Sequence, residues 1–250
     1  MSHYILIHGA WEESRAWDNV SAVIRARGHT VDAVDLPGHG ANQRTIPQVT
    51  MAAYIDSVVG AIESLDHPVI LVGHSMTGAV ISQVAERIPS RIERLIYVAA
   101  FLLKDGDTVF EAMQSDAGNQ LLPEIVFSDD QTYATVSEQT LRSVGFHDVD
   151  EAVIQRILPL MAEKQSTEPF MARIEVSDEN FGSVPKSYIR TSIDKITSTD
   201  LQDRMISNWE VETVHHLESG HFPAFSVPGK LADILLQPAY AETAELAATV

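Results

Sequence analysis

Val69-Ile70-Leu71-Val72-Gly73-His74-Ser75-Met76-Thr77-Gly78 is the stretch that decides the fold. Pro68 introduces four apolar residues in a row, which suits a central strand covered on both faces. From Met76 to about Ile88 the apolar spacing becomes helical, and Pro89 stops it. Gly73-His74-Ser75 is therefore read as a strand-to-helix turn with a serine at its corner. A serine so placed sits on a strained bend, with its hydroxyl exposed at the carboxyl end of the sheet and the following amides directed into the helix N-terminus. Strand and helix nearly touch there, so small residues are needed two positions before and after the serine. Gly73 meets that need; Thr77 stands where the usual pattern has a second glycine, and Gly78 follows one residue late. A β-branched residue at 77 is expected to require a small shift of the facing backbone. The bland alternative is a serine in an ordinary connecting turn.

Outward from this turn, strand and helix patterns alternate. Tyr4 to Ile7 reads as a strand, Trp17 to Arg27 as a helix stopped by Gly28, Thr30 to Leu36 as a strand, and Met51 to Leu65 as an amphipathic helix. After the elbow come a strand over Arg94 to Phe101, a strand over Lys186 to Ser192, a short helix over Asp200 to Ser207, a last strand over Val211 to Leu217 and a closing helix over Lys230 to Leu236. Such alternation predicts an α/β fold with a mostly parallel sheet of about six strands covered by helices. Between Lys104 and Pro185 the alternation breaks into scattered short helices and acidic turns with no strong buried strand. This reads as an inserted helical cap over 104–183, with the core made of 1–103 and 184–250. The Ala-rich tail from Tyr240 reads as a fraying helix.

A serine hydroxyl is a weak nucleophile until a base takes its proton, so Ser75 calls for a histidine later in the chain and an acid to orient it. Of ten histidines, His221 follows the last predicted strand within Ser219-Gly220-His221, where a general base is needed. His215 and His216 lie inside that strand, His74 lies buried beside the elbow, and His8 and His39 read as loop-shaping residues. Asp194, in a small-residue turn after the strand ending near Thr191, is the preferred acid; Asp105 and Asp107, after the preceding strand, are its rivals. Asp178, Asp200 and Asp203 read as cap or helix-start residues. Attack on a carbonyl puts negative charge on oxygen, and each donor to that oxygen is worth about 2.7 to 4 kcal/mol of barrier. The backbone amides of Met76 and of Ala10, in the loop after the first strand, are the expected donors. Phe101 and Phe222, with Trp11, are the candidate substrate contacts by position. Leu121, Phe127, Leu160, Met161 and Phe170 are further pocket candidates, with core packing as the alternative for most of them.

Composition removes several classes. The 250 residues carry 17 Lys and Arg against 35 Asp and Glu, a net charge of −18 that repels phosphate backbones and anionic lipid surfaces, so no nucleic acid is expected as partner. With no cysteine there is neither a thiolate nucleophile nor a Cys-ligated zinc. No apolar run is long enough to span a membrane, and the opening residues do not read as a secretory leader, which makes the cytoplasm the expected location.

Taken together, Tyr4 to Trp17 (YILIHGAWEESRAW), Gly28 to Gly40 (GHTVDAVDLPGHG), Val69 to Gly78, Leu95 to Phe101 (LIYVAAF), Asp194 and Ser219-Gly220-His221 resemble the α/β-hydrolase superfamily. The similarity is to its small-cap branch of plant methyl esterases, hydroxynitrile lyases and related bacterial esterases. The resemblance implies Ser75, Asp194 and His221 as a triad, Ala10 and Met76 as oxyanion donors, an apolar pocket under a cap, no metal or organic cofactor, and often a homodimer. It further implies a cofactor-independent serine hydrolase acting on a small, largely apolar carboxylic ester, or a related amide or carbamate. Glu12 and Glu13 occupy a stretch where members commonly have His-Gly, which implies a more acidic mouth. The lyases of the branch use a threonine in the oxyanion loop and a lysine directly after the catalytic histidine; Gly9 and Phe222 stand there instead, which favours hydrolysis. A lyase, a C–C bond-cleaving enzyme and a non-catalytic ligand receptor are the alternatives on this scaffold.

Overall fold

In the computed structural model, which describes residues 1–237, the expected alternation forms one six-stranded sheet with order β2-β1-β3-β4-β8-β9. Its strands are β1 (His3–Ile7), β2 (Thr30–Val34), β3 (Val69–His74), β4 (Ile92–Val98), β8 (Lys186–Thr191) and β9 (Thr213–Leu217), and every pairing is parallel. Alternate residues of the inner strands go to two separate cores. Ile5, Ile7, Leu71, Leu95 and Tyr97 pack on one face, and Tyr4, Leu6, Ile70, Val72, Ile96 and Val98 on the other. That two-sided burial is why Val69 to Val72 shows no polar alternation.

Helices cover both faces. α2 (Met51–Glu63) and α3 (Thr77–Arg87) bury Tyr54, Val58, Val80 and Val84 against the first core, while α1 (Asp18–Ala26) and α10 (Pro228–Leu235) bury Val20, Ile24, Leu231 and Leu235 against the second. α8 (Thr199–Ile206) is N-capped by Ser198, whose side chain accepts from the Leu201 amide. α9 (Pro223–Ser226), a single turn after His221, was not foreseen.

β4 ends three residues earlier than its apolar pattern predicts. Ala99 has φ +46°, a left-handed conformation that turns the chain back toward the elbow. The turn lets the Phe101 amide donate to the Ser75 carbonyl at 3.0 Å.

Between β4 and β8 lie α4 (Val109–Gln114), α5 (Glu138–Thr140) continuing into a π-helical turn over Leu141–Gly145, α6 (Glu151–Ile157) and α7 (Glu168–Met171). The same stretch holds a feature that the expectation of helices alone missed. β5 (Val126–Phe127), β6 (Tyr133–Thr135) and β7 (Gln165–Ser166) form a three-stranded antiparallel sheet. Strands of two or three residues are too short to show a period, so nothing in the sequence marked them. The helix expected from Tyr240 lies outside the described residues.

Candidate active site

The elbow is strained as expected: Ser75 has φ +55°, outside the ordinary range of a residue with a Cβ. The surroundings hold it there. The Ser75 amide donates to Val98 O at 3.2 Å, and its carbonyl accepts from the Gly78 and Phe101 amides at 3.1 and 3.0 Å. Gly78 supplies the close approach, because a Cβ on it would lie 2.6 to 2.9 Å from the Phe101 backbone. Gly73 faces the Thr77 carbonyl, which a Cβ would meet at 2.9 Å.

Thr77 acts otherwise than expected. Its hydroxyl turns back into the elbow, accepting from the His74 amide at 3.1 Å and donating to His74 O at 2.8 Å, with Ile7 O as a second acceptor within reach at 3.3 Å. A threonine is thus accommodated as a hydrogen-bonded brace between β1 and the turn.

The three residues singled out for chemistry come together. His221 Nε2 lies 2.8 Å from Ser75 Oγ, and His221 Nδ1 lies 2.8 Å from Asp194 Oδ2. All three are buried. Asp194 also accepts from the amides of Ile196 and Thr197 at 2.7 and 2.9 Å and from the Thr191 hydroxyl at 3.0 Å. Burial alone would push this carboxyl up; the His221 ring and those donors overcome it and hold the pKa below the usual carboxylate value. An ionised Asp194 fixes the proton on His221 Nδ1 and leaves the Nε2 lone pair facing the Ser75 hydroxyl. On the approach to His221, the Gly220 amide donates to Asp148 Oδ2 at 2.7 Å, which ties that loop to the segment above the sheet. The rival acids are engaged elsewhere: Asp105 accepts from the Val176 amide and Asp107 from the Lys104 amide.

Ala10 and Met76 carry the two amides expected to face a developing oxyanion, and Ala10 lines a cavity with Ser75. Among the described residues neither amide has an acceptor. Trp11, with φ +59°, turns the chain so that its own amide donates to Gln165 Oε1 at 3.1 Å. Gln165, missed in the sequence, is fully buried and comes from β7; it also donates to Tyr54 Oη at 3.1 Å. Its partners lie more than a hundred residues away, so no local pattern could have signalled it.

A narrow, mostly apolar cavity opens over Ser75 and His221, walled by Trp11, Phe101, Leu121, Phe170, Ile196 and Phe222. A second, tighter apolar pocket shares Trp11, Met113 and Phe170 with it and ends at Phe127. Leu160 instead borders a separate surface groove with Glu13, and Met161 packs against the core. Neither lines the cavity. The expected acidic mouth is also absent. Glu12, only 3% exposed, turns inward to His74 Nδ1 at 2.7 Å, and Glu13 pairs with Arg15. No group of three or more His, Asp or Glu able to hold a metal ion occurs among the described residues.

Two histidines near the oxyanion loop are buried neutral. Burial, helped by His8, pushes the His39 imidazole down to about 3, and burial likewise lowers His8. His39 Nδ1 lies 2.8 Å from Glu12 O and its Nε2 3.0 Å from Tyr54 Oη. In the unfolded chain both rings take a proton near pH 6.5, so below that pH the unfolded state binds more protons and stability falls. Between about pH 6.5 and 5.5 ordinary carboxylates stay ionised, so the decline there comes from these rings and from His215, also lowered by burial, partly offset by His74, whose raised pKa works in the opposite sense. His39→Gln is expected to flatten the fall, measured as urea unfolding free energy at pH 7, 6, 5 and 4.5. An unchanged slope would rule out a neutral His39.

The chain belongs to the alpha/beta hydrolase family, whose model matches residues 4–234. It is 29% identical over 253 residues to putative methylesterase 11, chloroplastic, of Arabidopsis thaliana, covering 94% of this chain and 63% of that protein. Methylesterase 17 of the same plant is 27% identical, covering 95% of this chain and 91% of its own length. Among solved structures, a pyrethroid hydrolase from Sphingobium faniae JZ-2 is similar with TM-score 0.85 and 27% identity, over 96% of this chain and 98% of that one. Only one of these two plant relatives is named chloroplastic, so they specify no compartment. No helix among the described residues is long and apolar enough to cross a membrane.

Proposed function

We propose that this chain is a cofactor-independent serine hydrolase that cleaves a small, largely apolar carboxylic ester, or a related amide or carbamate, through an acyl-enzyme. The observation that carries the reading is the unbroken chain Ser75 Oγ, His221, Asp194, with both links at 2.8 Å, beneath an apolar cavity.

Ser75 attacks the carbonyl carbon as His221 Nε2 takes its proton, and the resulting imidazolium is balanced by Asp194. The carbonyl oxygen becomes anionic between the Ala10 and Met76 amides, whose lack of other acceptors leaves them preorganised for it. His221 returns the proton to the leaving alcohol or amine. Water then enters and attacks the acyl carbon as His221 takes its proton, and His221 returns that proton to Ser75 Oγ as the acid leaves. The apolar walls contributed by Trp11, Phe101 and Phe222 suit an uncharged ester. Relatives named methylesterases and a similar pyrethroid hydrolase support ester cleavage. Phe222, directly after His221, offers no cation to a leaving cyanide, which speaks for hydrolysis over cyanohydrin cleavage. We further propose residues 104–183 as the cap that closes this cavity.

A fluorophosphonate probe followed by peptide mass spectrometry tests the reading. The adduct is expected on Ser75 and is expected to disappear in His221→Ala. A folded wild-type protein that takes no label would overturn it.

A further inference from the structure

A second acid–histidine couple lies behind the first. Glu12 and His74 are 3% and 4% exposed, and the mechanism above uses neither. His74 Nδ1 lies 2.7 Å from Glu12 Oε2, and His74 Nε2 lies 2.7 Å from the peptide carbonyl of His221. With Glu12 ionised, both partners are acceptors, a carboxylate oxygen and a carbonyl oxygen, and the ring then satisfies both only by carrying a proton on each nitrogen. The same Glu12 oxygen accepts from the Gly9 amide at 2.6 Å. Gly9 is needed for this approach, because a Cβ on it would lie 2.7 Å from Glu12 Oε2 and 2.8 Å from His74 Nδ1.

Resting on the hydrolase reading, we infer that Glu12 and His74 form a buried ion pair that positions the three catalytic segments relative to one another. Glu12 fixes the peptide preceding the Ala10 amide. His74, directly before Ser75, fixes the carbonyl of His221. Elbow, oxyanion loop and base loop, which come from β3, β1 and β9, are thereby locked to one charge-assisted network, and such bonds are roughly twice as strong as neutral ones.

Burial favours the neutral form of each partner. For His74 that penalty is overcome by the Glu12 carboxylate, the His221 carbonyl and the charge of Asp194, which raise its pKa; for Glu12 the His74 ring, His8 and the Gly9 amide hold the carboxyl below its usual value. The charged and titratable groups facing the His74 ring are Glu12 and His8 from the oxyanion loop, Asp194 from the turn after β8, and His221, whose ring centroid is 4.9 Å away. The pair places its positive end nearest His221, the group that must accept a proton from Ser75.

Removing the charge while keeping a hydrogen-bonding side chain isolates this role. Glu12→Gln is expected to lower kcat about tenfold with KM within about twofold, and to move the acid limb of the kcat/KM profile up by about half a unit to one unit. Glu12→Ala, which also frees the Gly9 amide, is expected to cost kcat about a hundredfold, so that glutamine is a partial rescue. Long-range ¹H–¹⁵N spectra of the wild-type protein supply a readout that needs no variant: His74 should carry protons on both ring nitrogens at pH 7. A neutral His74 ring overturns the inference. So does a Glu12→Gln protein that only melts earlier, with wild-type kcat and an unmoved acid limb. Failure of the hydrolase reading would look different, as a wild-type protein that takes no fluorophosphonate whatever the state of His74.

Discussion

Ser75→Ala is expected to lower kcat on a small aryl ester by about a millionfold, and His221→Ala to lower it to about the same level. The reason lies in the 2.8 Å bond from His221 Nε2 to Ser75 Oγ. The hydroxyl has no nucleophilic power without the base, and the base has no proton to take without the hydroxyl. Removing either destroys one joint function, so the double variant should be hardly slower than the single ones. What remains should be about a thousandfold over water, from the Ala10 and Met76 amides and from binding in the cavity. Single-turnover and steady-state rates of the three proteins check this. Losses that multiplied in the double variant would mean that Ser75 and His221 act independently, and a His221→Ala protein within about a hundredfold of wild type would place the base elsewhere.

The sheet was legible because its inner strands are apolar on both faces and its helices follow with stops such as Gly28 and Pro89. Each of those signals is local. The proposed acid was legible for a related reason: the chain turns within a few residues after β8, and an aspartate in that turn can reach the loop that bears His221. Asp194 meets that condition, whereas Asp105 and Asp107 follow β4 and are held by the Val176 and Lys104 amides.

What escaped the sequence depends on partners far along the chain. Glu12 reads as a surface acid in a charged stretch, and its inward turn is decided by His74, 62 residues later. Gln165 is one polar residue among many until the pairing Ala134↔Gln165 directs it to Trp11 and Tyr54. Thr77 seemed an obstacle because its Cβ was weighed and its hydroxyl was not. In a buried site the hydroxyl decides, since it finds hydrogen-bond partners within the turn, the His74 amide among them.

Asp194→Asn should lower kcat by about ten-thousandfold while the fold and the cavity survive. An asparagine oxygen can still accept from the Ile196 and Thr197 amides, which now bond to Asp194 Oδ1. Its amide nitrogen would then replace Oδ2 opposite His221 Nδ1, and that nitrogen only donates. Nδ1 must accept, so the ring proton moves to Nε2, and the lone pair that served Ser75 is gone. The variant also lacks the negative charge that balances the imidazolium formed during attack. The loss should therefore fall on kcat, with KM nearly unchanged, and fluorophosphonate labelling of Ser75 should slow in parallel. Asp105→Asn and Asp107→Asn should stay within about twofold of wild type, because their carboxylates serve only loop amides away from His221. An Asp194→Asn protein that kept most of its kcat while one of those two lost it would move the acid from the turn after β8 to the turn after β4.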